Sequence, residues 1–250
     1  MKRIALILIS LLLLSNLALP SFAFVETHGG VKVEFAFADE EKTIPLYDEN
    51  GKQALIVIGY NDELPTIRIP ETVEMYDGDH YTVMYIAKYA FSQNENVTKA
   101  IIADTVVEIG QSAFEGCDNL MKVTLPKGLK TLGMSTFRDC RLLRSIKLPD
   151  TLEKIDDFCF EGCTMLRTLK IPASVNEIGH HAFSKSESLI LDVSKNAYAE
   201  NYAIENMIRH EFIGSPEHTM LIVIINTAVL GVAVIAASLI IKRIKKKKAK

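Results

Sequence analysis

The chain has 250 residues, of which 48% are hydrophobic, and its net charge of −3 conceals an uneven distribution. Residues 24–218 contain all 31 acidic residues but only 19 of the 28 basic residues, a net charge of −12, whereas both ends of the chain are basic. An acidic middle section argues against nucleic acid as the main partner, because phosphate binding depends on clustered Lys and Arg.

Residues 1–23 have the pattern of a secretory signal peptide. Lys2 and Arg3 precede an apolar run that ends at Leu19, and after Pro20 small residues stand where a signal peptidase requires them. An uncleaved membrane anchor is the alternative, and both interpretations place the following domain outside the cytoplasm.

Residues 24–65 are predicted to form a strand-rich N-terminal cap. The stretch 31–37 alternates in polarity, as a half-buried strand does. Asn50-Gly51 lies between the apolar-rich runs 43–47 and 53–60, an arrangement that predicts a hairpin. Because the end of a repeat array exposes its core, we expect this region to cover it.

Residues 66–208 repeat every 23 residues, a period typical of a solenoid in which each coil buries the apolar edge of its neighbour. The first coil has about ten extra residues around Asp77-Gly78, which we predict to form a projecting hairpin. The recurring positions are an aliphatic column (Ile86, Ile109, Leu132, Ile155, Ile178), a phenylalanine column (Phe91, Phe114, Phe137, Phe160, Phe183), a third column (Asn94, Cys117, Cys140, Cys163, Ser186) and a leucine column (Val97, Leu120, Leu143, Leu166, Leu189).

Each regular coil is predicted to have a short alternating strand, at 99–102, 122–125, 145–148 and 168–171. Proline follows three of these strands and ends them, because it cannot donate to a sheet. Gly110, Gly133 and Gly179 follow the aliphatic column, and we predict a positive φ at these glycines.

After Leu189 the register slips by one residue, so that Leu191 and Val193 are predicted to point inward. Residues 197–207 are predicted to form a capping helix whose buried side consists of four residues, Tyr198, Tyr202, Ile204 and Met207. The ten residues 209–218 are a linker, which reaches at most about 35 Å when extended.

Residues 219–241 contain no charge and are long enough to cross a bilayer as one helix. The tail 242–250 is rich in Lys and Arg, which predicts that it lies in the cytoplasm. The sequence therefore predicts a type I single-pass protein of the cell membrane, with an extracytoplasmic repeat domain.

The repeat resembles that of the BspA-type leucine-rich repeat family, which has a unit of 23 residues. In the second coil the matching residues are Ile109-Gly110, Ala113-Phe114, Cys117, Leu120 and Leu125-Pro126. The resemblance covers residues 66–207 and implies an α+β solenoid of about five leucine-rich-repeat coils. Members are mostly bacterial surface or secreted proteins, and some bind host extracellular proteins or other cells. The resemblance implies a binding module and assigns no catalytic residues.

The four cysteines allow more than one interpretation. Cys117, Cys140 and Cys163 share one column, and the spacing of about 4.8 Å between coils nearly permits a disulfide. A bridge between Cys159 and Cys163 is also conceivable. Alternatively, all four are small buried groups with free thiols. A structural zinc site would need a second pair of ligands, which the sequence does not offer, so we expect no metal or cofactor.

The outward strand positions predict a basic stripe on an otherwise acidic body. Solenoids commonly bind ligands through such a sheet face, although Lys also protects exposed sheets from aggregation. The candidate ligand-binding residues are Lys99, Lys122, Arg144, Lys147, Arg167 and Lys170.

We therefore expect recognition of, or adhesion to, a protein or polysaccharide at the cell surface. The alternative is an accessory subunit of a cell-envelope complex, which docks through residues 219–241. An enzyme is not expected, because no nucleophile, phosphate-binding or paired-carboxylate motif stands out.

Overall fold

The computed structural model describes residues 22–26, 32–37, 47–60, 65–74, 78–193 and 196–212. They form a β-solenoid of about five turns, preceded by three strands. The elements in chain order are β1 (Phe22–Glu26), β2 (Lys32–Phe37), β3 (Leu55–Tyr60), β4 (Thr66–Ile69), β5 (Thr72–Glu74), β6 (His80–Ile86), β7 (Lys99–Ile102), β8 (Glu108–Ile109), β9 (Lys122–Thr124), β10 (Thr131–Leu132), β11 (Ser145–Ile146), β12 (Lys154–Ile155), β13 (Thr168–Lys170), β14 (Glu177–Ile178), β15 (Ile190–Asp192), α1 (Ala197–Glu205) and β16 (His210–Glu211).

The N-terminal strands continue one sheet of the solenoid. β1 pairs antiparallel with β2, β2 pairs antiparallel with β3, and β3 runs parallel to β6 of the first coil. Phe35, Leu55 and Val57 are fully buried and belong to the same core as the coils. The alternating stretch 31–37 thus corresponds to β2, and its one described side chain, Phe35, faces inward.

Two turns near the N-terminus follow the Asn-Gly and Asp-Gly signals. The first is closed by a single bridge between Tyr47 and Gln53, with Gly51 at a φ of 74°. It is smaller than the predicted hairpin, and residues 43–46 lie outside the described part. β5 and β6 pair antiparallel, with Gly78 at a φ of 80° between them, so a hairpin in the first coil is confirmed, while residues 75–77 lie outside the described part.

The coils stack in register through two parallel ladders. In the first, β6, β8, β10, β12 and β14 bring the aliphatic column together, pairing Ile86 with Ile109 and Leu132 with Ile155. In the second, β4, β7, β9 and β11 are paired in sequence, and β13, β15 and β16 form a further three-stranded sheet. The predicted period of 23 residues is therefore the spacing between stacked positions.

The phenylalanine column forms the spine of the core. Successive ring centroids from Phe91 to Phe183 are 4.9, 5.6, 5.5 and 5.8 Å apart, with interplanar angles of 8–18°. All five rings are at most 4% exposed, and the leucine column beside them is at most 2% exposed. Burial of these residues removes large apolar side chains from water and stabilises the stacked coils.

The predicted positive φ at Gly110, Gly133 and Gly179 is wrong. Glycine is needed there for close approach of two backbones, because a Cβ at Gly110 would lie 2.6 Å from the backbone nitrogen of Lys88 in the preceding coil. The same approach recurs at Gly179, where a Cβ would lie 2.4 Å from the backbone nitrogen of Asp157.

The left-handed residues lie further along the same turns, in two other columns. Their N–H groups point along the solenoid, so that Ser112 donates to the carbonyl of Met134 and Gly116 donates to that of Arg138, both in the next coil. The two columns consist of Tyr89, Ser112, Ser135, Phe158 and His181, and of Gln93, Gly116, Asp139, Gly162 and Lys185.

Helix α1 closes the core after the register slip, where Leu191 and Val193 are buried as predicted. Asn196 caps the helix by accepting a hydrogen bond from the backbone of Ala199. Its amide donates to the carbonyls of Pro172 and Val175, so the same side chain ties the helix to the last regular coil.

The predicted buried side of the capping helix is correct only for Tyr202. That ring packs edge-on against Phe183 at 6.1 Å and ends the aromatic stack. Tyr198, Ile204 and Met207 are 43%, 56% and 93% exposed, contrary to the prediction. The reason is that two alanines flanking Tyr202 form the contact side and let the helix approach the coil closely; these are Ala199 and Ala203.

Several predicted segments lie outside the described residues, namely most of the signal peptide, the end of the linker, the apolar span 219–241 and the basic tail 242–250. β1 begins at Phe22, so its first two residues lie within the predicted signal peptide, residues 1–23. Among the helices that the structure describes, none has the length and apolar character needed to cross a membrane.

Candidate ligand-binding face

The six predicted cations lie on the second ladder and on the three-stranded sheet that follows it, on β7, β9, β11 and β13 or immediately beside them. Five of them are exposed and Lys99 is half-buried. The alternation of exposed and buried residues in β9 and β13 explains this placement, because Lys122 and Lys170 face solvent while Val123 and Leu169 enter the core. We call this set the basic face: Lys99, Lys122, Arg144, Lys147, Arg167 and Lys170.

The basic face stacks like charges on neighbouring coils. Lys99 pairs directly with Lys122 in the parallel register. The backbone N–H of Arg144 donates to the carbonyl of Met121 in the preceding coil, and Arg167 lies one repeat of 23 residues after Arg144. Like charges on facing strand positions destabilise a sheet, so this arrangement has a cost in folding free energy.

Arg68 extends the basic face into the first coil, and it is absent from the predicted set. It is exposed on β4, opposite Ile101 of β7. The signal was available, because Ile67-Arg68-Ile69-Pro70 has the strand-then-proline pattern of the later coils. The insertion around Gly78 obscured the period at this point.

No cation of the basic face forms an ion pair with any residue in the described part of the chain. Elsewhere on the solenoid, four cations pair with carboxylates one coil away. The hydrogen bond to Asp104 raises the pKa of Lys127, and the one to Glu177 raises the pKa of Lys154. These pairs between coils are Lys127–Asp104 (2.6 Å), Lys130–Glu153, Arg141–Asp118 (3.0 Å) and Lys154–Glu177 (2.6 Å).

One carboxylate is buried between two cations. Glu161 is 5% exposed and lies 2.9 Å from the guanidinium of Arg138 and 2.8 Å from the ammonium of Lys185. The Arg138 guanidinium also lies 5.8 Å from the ring centre of Phe158. This cluster connects three coils on the side that carries the left-handed turns, which is a structural role.

The cysteines are free and fully buried, as the alternative without disulfides predicted. The thiols of the third column donate to the carbonyls of phenylalanines in the preceding coil: Cys117 to Phe91 at 3.0 Å, and Cys140 to Phe114 at 3.1 Å. Cys163 and Ser186 repeat this bond, so a small donor occupies four of the five positions of the column, and Asn94 in the first coil instead accepts from the backbone of Asn96 and Val97.

Burial raises the pKa of Cys117 and Cys163 to about 12. It also raises the pKa values of Cys140 and Cys159. Such thiols remain protonated and are poor nucleophiles and metal ligands. In the described residues no group of three or more His, Cys, Asp or Glu side chains is placed to hold a metal ion.

The family model of the BspA type leucine rich repeat region matches residues 84–209 in six copies, half of the chain. The chain belongs to this family. The sixth copy includes the irregular unit around α1, which the count of about five coils treats as a cap. Leucine-rich repeat proteins of the BspA type are generally surface-associated binding modules.

Two solved structures of bacterial leucine-rich repeat proteins are similar to this BspA-type chain. One, from T. pallidum, is 28% identical over 58% of this chain and 65% of its own, with a TM-score of 0.52. The other, from Bacteroides ovatus, is 30% identical over 70% of this chain and 40% of its own, with a TM-score of 0.53. The chain thus spans less than two thirds of each. No curated protein matches it.

Proposed function

We propose that this BspA-type protein is a membrane-anchored recognition module, which binds an anionic ligand outside the cytoplasm through its basic face. The ligand is an acidic protein segment or an anionic polysaccharide at the cell surface, and binding serves recognition or adhesion. The observation that supports this proposal is that no cation of the basic face forms an ion pair within the described residues, whereas four other cations of the solenoid pair with carboxylates one coil away.

The contrast matters because most of the charge on this body is negative. Residues 24–218 carry a net charge of −12, so a row of cations that form no ion pair within the described residues creates a local potential opposite to that of the surroundings. The row runs across successive coils spaced by about 4.8 Å. An extended polyanion lying across the coils would therefore meet a cation on each of them.

The sequence supports the proposed location. An apolar N-terminal run, an uncharged stretch at 219–241 and a basic tail are the usual features of a type I membrane protein. In this arrangement the basic face is extracytoplasmic, where surface polysaccharides and secreted acidic proteins are accessible. We propose no catalytic activity and no cofactor.

A charge-reversal experiment tests the ligand proposal. The full chain in nanodiscs would be titrated with poly-L-glutamate and with a sulfated polysaccharide. The triple variant Lys122→Glu, Lys147→Glu, Lys170→Glu should lose binding, and binding by the unchanged chain should weaken steeply with salt.

The matched control carries Lys88→Glu, Lys127→Glu and Lys130→Glu, which make the same change in net charge away from the basic face. All three of these lysines are exposed. The control should keep most of its binding. Equal losses in both triple variants would mean that net charge, and not the basic face, controls binding, and the proposal would fail.

The alternative function, docking in the membrane as an accessory subunit, predicts a different result. Replacing residues 219–241 with an unrelated apolar span should then abolish association with the partner, while reversal of the basic face leaves it intact. Our proposal predicts the opposite outcome for both changes.

A further inference from the structure

The C-terminal end of α1 presents two apolar side chains to solvent. Ile204 is 56% exposed and Met207 is 93% exposed, and they lie three residues apart in the chain. They border an open groove whose apolar lining includes Ile190, Ala203 and Ile208. The lining also includes Arg209, His210 and Glu211, so the two exposed apolar side chains border a groove of mixed polarity at the end of the solenoid.

Met207 occupies the position where a helix end favours glycine. The N–H of Ile208 donates to the carbonyl of Ala203 and the N–H of Met207 donates to that of Ile204, which is the Schellman pattern. Met207 has a φ of 54°, in the left-handed region. A methionine here strains the backbone and exposes an apolar side chain, and neither effect stabilises the fold.

The last residues that the structure describes lie beside the C-terminal end of α1. β16 lines the groove, and the described residues stop at Phe212. Only residues 213–218 separate this point from the proposed membrane span, and six extended residues reach about 20 Å at most. If 219–241 spans the bilayer, the end of α1 lies close to the membrane surface.

We propose that Ile204 and Met207 insert into the headgroup region of the bilayer and fix the solenoid upright on the membrane. This inference rests on the proposed membrane anchoring. The partner is a lipid surface, and burial of apolar side chains in the interface supplies the interaction. The neighbouring exposed charges, Glu205, Arg209 and Glu211, are mixed in sign, so zwitterionic headgroups suffice.

The absence of tryptophan from the sequence makes a direct test possible. Met207→Trp introduces a single tryptophan, which can be excited selectively, at the proposed insertion point of the full chain, reconstituted in phosphatidylcholine vesicles. Its emission should lie at shorter wavelength than that of a tryptophan in water. The emission should also lose intensity when the vesicles contain brominated lipid, because bromine quenches a tryptophan that lies within the bilayer.

Tyr89→Trp is the matched control. Tyr89 is 53% exposed, also has a left-handed φ of 62°, and lies in the first coil at the other end of the solenoid. Its replacement should show emission typical of water and no lipid quenching. Equal behaviour of the two tryptophans would overturn the proposal, as would a shift at position 207 without quenching, which would indicate contact with another protein surface.

Flotation with the vesicles separates this proposal from the anchoring on which it rests. A chain that does not float lacks the membrane anchor, and the proposed function itself then fails. A chain that floats while the tryptophan at position 207 stays unquenched retains the anchor, and only the insertion of α1 is wrong.

Discussion

Replacing Phe137 with alanine should destabilise the solenoid by about 3–5 kcal/mol. The ring is fully buried, with Phe114 at 5.6 Å on one side and Phe160 at 5.5 Å on the other. Its removal loses the transfer free energy of the ring, leaves a cavity that rigid coils cannot close, and removes two stacking contacts. Urea unfolding of the full chain in detergent, followed by circular dichroism, measures the loss.

Phe137→Leu is the control, because a smaller change in volume should cost less than about 1.5 kcal/mol. Hydrogen exchange should show the alanine variant losing protection first in the coils that contact position 137, since each coil depends on its neighbours. A cost below about 1 kcal/mol for Phe137→Ala would refute the reasoning that the aromatic stack holds the coils together.

Three further changes test other parts of the structure by the same unfolding assay. Gly110→Ala should cost about 1–3 kcal/mol because its Cβ meets backbone, whereas Gly128→Ala, with open space around it, should change stability by less than about 0.5 kcal/mol. Lys122→Glu should stabilise the sheet by about 0.2–1 kcal/mol by removing repulsion from Lys99, and a loss of stability would contradict this account of the basic face. Because burial favours the protonated thiols, the folded chain binds more protons than the unfolded chain, so stability should fall as pH rises from about 9 towards about 12. Replacing the three cysteines of the third column with serine should flatten that fall and keep the hydrogen bond that Ser186 makes.

The coil spacing and the core could be predicted because a solenoid copies one solution along its length. The five phenylalanines of the column recur every 23 residues, so assigning one of them to the core assigns all five rings to it. The basic face follows from the same period combined with the alternation of a strand, which sends Lys122 outward and Val123 inward.

The errors lie where the chain leaves the repeat or where a contact involves backbone. Gly110 signals that a side chain is not tolerated, but the sequence does not distinguish a left-handed turn from a close approach of two backbones. In α1 the large apolar residues suggested the buried side, yet the space beside the last coil admits only Ala199 and Ala203 around Tyr202. The relevant quantity is the distance between packed elements, which a short aperiodic segment does not encode.

A repeat places the same side chain type above itself on each coil, so charged columns repel by default unless acid and base alternate along them. Alternation occurs at positions 104, 127 and 150, which read Asp, Lys, Asp, and at 115, 138 and 161, which read Glu, Arg, Glu. It is missing at 99 and 122, at 144 and 167, and at 147 and 170, where both members of each pair are basic. The chain therefore has a means of neutralising stacked charge, and among the described residues of this face an acidic residue stands opposite a cation only at the end of the row, where Lys170 pairs in register with Asp192 of β15. A partner that brings its own negative charge would remove the repulsion on binding, which is the physical basis for assigning the proposed ligand to the basic face.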